Sequence, residues 1–108
     1  MISIASITEL IETYRKFDWQ PRRLLLKPAS RVSLDDVVEG VPIVNSEIDA
    51  VWFSRAKQAG NTPWELRHIG KTPLALVGHM DEDSADFEER LTGLELRMAE
   101  LLERQKAA

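Results

Sequence analysis

The chain contains no cysteine. That single absence excludes a disulfide framework, thiolate zinc sites, iron-sulfur clusters and cysteine nucleophiles together, and the expectation it sets is a cytoplasmic protein. Long apolar runs are missing too, since no stretch approaches the roughly 20 residues that a membrane-spanning helix requires. Residues 1–16 lack an early basic region, and Glu9 and Glu12 interrupt their apolar residues before a signal-peptide core can form. Neither membrane insertion nor secretion is expected. Glycine is sparse, and Gly60 and Gly70 fall in turn-like contexts rather than in a phosphate-binding loop ahead of a helix.

A concentrated basic footprint is also lacking. The net charge is −4, and the balance is −1 over residues 1–21, +2 over residues 22–80 and −5 over residues 81–108. The weak positive excess in the middle is interspersed with carboxylates, so nucleic acid is not an expected partner. What is present suits a folded globule: 44% of the residues are hydrophobic and 30% charged, far from the composition of a disordered chain. A length of 108 residues fits a single domain over 1–108, because two separate cores would each bury too little apolar surface.

Ser6, Ile7, Thr8 and Glu9 have the spacing of a capping box, and Ile7, Leu10, Ile11, Tyr14 and Phe17 recur at helical intervals. An amphipathic helix is predicted from Ser6, ending near Trp19 and Pro21. Residues 22–27, with three consecutive leucines between prolines, read as a strand, and residues 33–38 as a short helical turn or strand. Residues 48–55, 64–69 and 74–79 are rich in β-branched and aromatic types and read as an antiparallel meander. Pro42 confines residues 41–44 to an edge or bulge. Asp81, Glu82, Asp83 and Ser84 open a long helix over 83–106, along which Phe87, Leu91, Leu94, Met98 and Leu101 form an apolar seam. Leu94 is expected on its buried side and Leu96 opposite, with Gly93 a possible kink or close approach. The fold class is α+β: an antiparallel sheet of about four strands in two layers, flanked by an N-terminal helix and a long C-terminal helix.

No residue type forms a recognisable catalytic or metal-binding pattern. His68 and His79 are the only side chains that titrate near neutrality unperturbed. A two-residue hairpin loop at Lys71 and Thr72 would pair His68 with Ala75 and set the two imidazoles roughly 13 Å apart, too far for one metal ion. Ser54 beside Arg55 has no glycine-flanked elbow. The acidic run from Asp81 lacks the frame of a calcium loop and is read as helix capping. No cofactor is implied.

More informative is the sheet itself. If Arg55 pairs with Trp64, Val51, Phe53, Trp64, Leu66, His68, Ala75 and Val77 share one face, while Ile48, Ala50, Trp52, Arg67, Ile69, Leu74 and Leu76 share the other. Both faces are apolar enough to need cover, and Trp52 would stack with Arg67 across the strands. The expected function is a non-enzymatic protein-interaction or homodimerisation module that meets a second copy or another protein through its sheet or its C-terminal helix, with Trp52 as interface anchor on the sheet. The alternative is a small-ligand-binding protein or minor enzyme, with Trp52, Arg55, Trp64, Arg67 and His68 around a pocket between sheet and helix.

Overall fold

The computed structural model describes residues 3–31, 40–56 and 61–107. Its elements are α1 (Ile4–Arg15), β1 (Gln20–Leu26), α2 (Pro28–Arg31), β2 (Ile43–Asn45), β3 (Ala50–Ser54), β4 (Thr62–His68), β5 (Ala75–Met80) and α3 (Phe87–Ala107). The expected turn or strand over 33–38 lies outside the described residues. The strands form one sheet in the order β2-β1-β3-β4-β5. The meander β3-β4-β5 is antiparallel, and β1 pairs antiparallel with β3.

The sheet is nonetheless mixed, with five strands rather than four antiparallel ones, because β2 runs parallel to β1. The residues after Pro42 do not extend β3. They return to the far side of β1, where Leu24 N–H donates to Pro42 C=O (2.9 Å) and Ser46 N–H to Leu26 C=O (2.9 Å). A parallel neighbour needs a long crossover, which the chain between β1 and β2 supplies. The confinement of this piece to an edge is as the proline requires.

The cap of α1 lies three residues before the predicted one. Ser3, in extended backbone, caps it by accepting from Ser6 N–H at 3.1 Å. The helix also stops before Pro21 has any influence. Asp18 adopts φ 68°, Trp19 N–H donates to Tyr14 C=O and Asp18 N–H to Arg15 C=O. These are the paired bonds of a Schellman ending, with aspartate in the left-handed position where glycine is usual. At the other end of the chain, residues 82–86 form turns before α3. Asp86 C=O accepts the first helical bond from Arg90 N–H (2.9 Å). Helix α3 thus starts four residues later than expected and, with 21 residues, spans about 31 Å at 1.5 Å per residue, which fits within the 38 Å longest dimension of the molecule. Met98 is buried, and Leu94 and Leu102 pack against the core, so α3 lies on its own sheet over most of its length.

The register differs by one residue from the expected one at two places. Arg55 N–H donates to Pro63 C=O and Ser54 pairs with Trp64, so the β3-β4 connection is one residue shorter than supposed. The β4-β5 turn is a five-residue loop closed by His68 N–H on Leu74 C=O (2.9 Å), and Ala75 pairs with Arg67 instead of His68. The two slips cancel for β5 and invert only β4, because side chains alternate between faces. Trp64 and Leu66 therefore join Leu25, Ala50, Trp52 and Met80 beneath Phe87, Leu91 and Met98 of α3. On the opposite face Leu24, Leu26, Val51, Phe53 and Ile69 pack against Ile7 and Ile11 of α1. The arrangement has three layers, helix, sheet and helix, not two.

Bidentate ion pairs fasten the α3 side: Arg22 to Glu82 at 2.9 and 2.8 Å, and Arg23 to Glu88 at 2.9 and 2.6 Å. They join β1 to the turn before α3 and to its first helical turn. Both are partly exposed, so they orient the helix more than they stabilise it.

Two substitutions in α3 test this packing. Leu91 is 1% exposed and Leu96 55%, so Leu91→Ala is expected to lower the unfolding free energy by about 2–5 kcal/mol, and Leu96→Ala by less than about 0.5 kcal/mol, in urea titrations. Gly93 neither breaks the helix nor makes a close contact: α3 is continuous through it, and a Cβ there would meet nothing within 4 Å. Gly93→Ala should therefore raise stability by about 0.5–1 kcal/mol in the same assay.

Candidate functional site

The five residues singled out from the sequence do not line one pocket. Inversion of β4 puts Trp52 opposite Leu66 and Arg67 opposite Val51, so the expected Trp52–Arg67 stack is replaced by a contact between tryptophans. The rings of Trp52 and Trp64 meet edge to face at 6.1 Å, and Trp64 touches Phe87 at 5.1 Å. Both indoles are buried under α3, at 0% and 1% exposure. Trp52 Nε1–H donates to Glu95 Oε2 at 2.8 Å, while Trp64 Nε1 is buried without a partner. Trp64 also receives the Arg22 guanidinium over its ring at 4.9 Å. Arg55 lies elsewhere, over Trp19 at 5.2 Å.

Arg67 belongs to the α1 side. There the Tyr14 hydroxyl donates to Glu65 Oε2, the Tyr14 ring stacks on Phe53 at 4.0 Å, and Arg67 is close enough to act electrostatically on the phenol. Burial, then the bond to the Glu65 carboxylate, holds the Tyr14 phenol above its ordinary value of 10.0. Arg67 acts in the opposite direction and is outweighed. This group ties α1 to the central strands.

His68 stands at a concave surface. It borders a cleft of about 760 Å³ at the end of the sheet, together with Lys27, Asp49, Lys71, Leu102 and Glu103. Its Nδ1 is 2.9 Å from Thr72 C=O; a carbonyl only accepts, so Nδ1 is the donor of this bond. Gly70 makes the turn possible. Its φ is +152°, which L side chains rarely adopt, and a Cβ there would fall 2.9 Å from His68 Cε1, so any other residue must also displace the imidazole. The buried Asp49 is committed to structure, accepting from Lys27 N–H (2.8 Å) and Ser30 Oγ–H (3.0 Å). Among the described residues no three histidine or carboxylate side chains gather as metal ligands, and none of their helices is long and apolar enough to cross a membrane.

The feature that sequence reasoning missed is the outer edge of β5. His68 bonds to Leu74, so by alternation the pairs Leu66–Leu76, Trp64–Gly78 and Thr62–Met80 are the hydrogen-bonded ones. Ala75, Val77 and His79 consequently turn their N–H and C=O groups away from β4. Among the described residues no strand pairs with that edge. Their three side chains are exposed, Val77 at 55%. Edge strands are usually guarded by lysine, proline, a bulge or brevity. β5 has none of these guards: it is six residues long, regular in its pairing and free of charged side chains. The opposite edge, β2, has only three residues and follows Pro42. The available signal was the uncharged run over 74–78, visible as a strand but not as an edge.

No known protein family, curated protein sequence or solved structure matches this chain.

The Tyr14 environment has a consequence at high pH. The native state keeps the phenolic proton in a range where the unfolded chain has lost it, so this contribution is complete below pH 10 and declines as pH rises above it. Stability measured by denaturant unfolding between about pH 9 and 11 should fall more steeply in the wild type than in Tyr14→Phe. Equal slopes would show that the phenol is not held in its neutral form.

Proposed function

We propose that the chain is a non-enzymatic protein-interaction module whose docking element is the free edge of β5. The observation that carries this reading is the row of outward backbone donors and acceptors at Ala75, Val77 and His79, bordered by uncharged side chains. A strand added there gains main-chain hydrogen bonds without displacing any internal pairing, which is the physics of β-augmentation. Homodimerisation is the form of association favoured, and the absence of cysteine supports a reducing, cytoplasmic setting. Trp52 is not the anchor in this reading, because its own helix covers it. The earlier case for dimerisation from a surplus apolar sheet face also loses its premise, since each face carries a helix.

A second reading takes the cleft beside His68 as a small-molecule site. Its volume is within the range of such sites, about 300–1,000 Å³, and an imidazole held through Nδ1 by Thr72 borders it. The lining mixes Lys27 and Lys71 with Glu47 and Glu103, so no charge class of ligand is selected.

Amide hydrogen exchange followed by NMR tests the first reading. A synthetic peptide of residues 74–80, or simply a higher protein concentration, should protect the amides of Ala75, Val77 and His79. Those of Leu76, Gly78 and Met80, already bonded to β4, should be protected throughout. Fast exchange at the three outward amides under both conditions would overturn the proposal.

A further inference from the structure

We infer that the occupant of the β5 edge is a second copy of the chain, with the two β5 strands antiparallel about a two-fold axis at Val77, so that two sheets become one continuous sheet. This rests on the reading of β5 as a docking edge and adds the partner and the register.

Hydrogen-bond parity selects the register. The outward-facing residues are Ala75, Val77 and His79, and a two-fold axis at the middle one sets Val77 against the partner's Val77 and Ala75 against the partner's His79. Every outward N–H and C=O on one strand then meets an outward partner, each opposed pair exchanging both of its bonds. Moving one strand by a single residue sets outward groups against groups already bonded to β4, and the ladder is lost. Moving it by two residues keeps alignment but leaves one outward residue on each strand unopposed.

Side-chain sizes agree with the same axis. On the α1 side, a valine pair at the centre is flanked by the large His79 over the partner's small Ala75. On the α3 side, Leu76 lies over the partner's Gly78, a large residue against one with no side chain. The two-residue alternatives instead set leucine against leucine or glycine against glycine. Symmetric pairing repeats any charge on both strands, and β5 carries no carboxylate or ammonium to repel its copy. Leu94 of α3 extends the contact: its Cδ1 lies 3.2 Å from the position of a Gly78 Cβ, and Leu94 is only partly buried within one chain. In the dimer it sits beside the joined strands, adding apolar area toward the roughly 1,000 Å² that a stable interface requires. An isologous contact of this kind closes on itself and leaves the short β2 strands as the outer edges.

The chain has no native cysteine, so single thiols report the register directly. In the proposed pairing Val77 is opposed by itself, at about 5.5 Å between Cα atoms, within reach of a disulfide. Val77→Cys should cross-link to a covalent dimer under mild oxidation. Ala75→Cys alone and His79→Cys alone should not, because their own copies stand roughly 13 Å apart, but the two mixed together should. Sedimentation equilibrium should find the wild type at twice the chain mass. Val77→Lys, at a position exposed in the single chain, should be a folded monomer by circular dichroism, and Val77→Pro, whose missing N–H is one that points away from β4, should behave alike. A wild-type monomer at millimolar concentration would overturn the inference, as would Ala75→Cys cross-linking as readily as Val77→Cys. Protection of the β5 amides by the peptide alongside such a monomer would leave the docking edge standing with a different protein as its partner.

Discussion

Burial of β3 on both faces at once is the constraint from which the architecture follows. Ala50 and Trp52 lie under α3 while Val51 and Phe53 lie under α1, and even Ser54 is 5% exposed. A strand with no solvent side must be flanked by strands in the sheet and by helices on both of its faces, since its backbone and both rows of side chains all need partners. The five-residue β3 therefore sits at the centre of the strand order, and the chain spends one helix on each side. Ser54, the polar member of the strand, is satisfied by Arg22 Nη1 at 3.0 Å. The same Arg22 reaches Glu82 and covers Trp64.

Once the helices are committed to the two faces, the strand edges are the parts of the sheet that no helix of the described residues covers. They are unequal. β2 is short, enters after proline and is bonded on one side to β1. β5 is longer and regular, and its outward peptide groups are bordered by alanine, valine and histidine. The proposal for function moves accordingly from a sheet face or the C-terminal helix, where sequence reasoning placed it, to a sheet edge. The cleft at His68 is a separate feature at the end of the strands, where the β4-β5 loop, residues 47–49 ahead of β3 and the last turns of α3 converge.

Much of the element pattern was legible because it rests on local physics. The spacing of Ile7 and Ile11 marked the buried side of α1, and the seam through Phe87, Leu91 and Met98 marked that of α3. The uncharged apolar run at 74–78 was readable as a strand. What was not legible was the length of each connection to within one residue. Losing one residue between Arg55 and Trp64 carries Trp64 from one face to the other, and no composition signal reports that change. Trp52, Arg67 and His68 were thus noticed for sound chemical reasons and assigned to the wrong neighbours.

Composition and periodicity by themselves determined the helices at both ends, the leucine strand, the three-strand meander and the exclusion of thiol chemistry, because each depends on residue type at short range. Only the tertiary structure decided the parallel entry of β2, the inversion of β4, the assignment of one helix to each face and the exposure of the β5 edge. Those features depend on which distant segments meet: Leu24 with Pro42, Ser54 with Trp64, and Tyr14 with Glu65, fifty-one positions along the chain. Long-range pairing is selected by the simultaneous burial of both faces of β3, a condition that no local window contains.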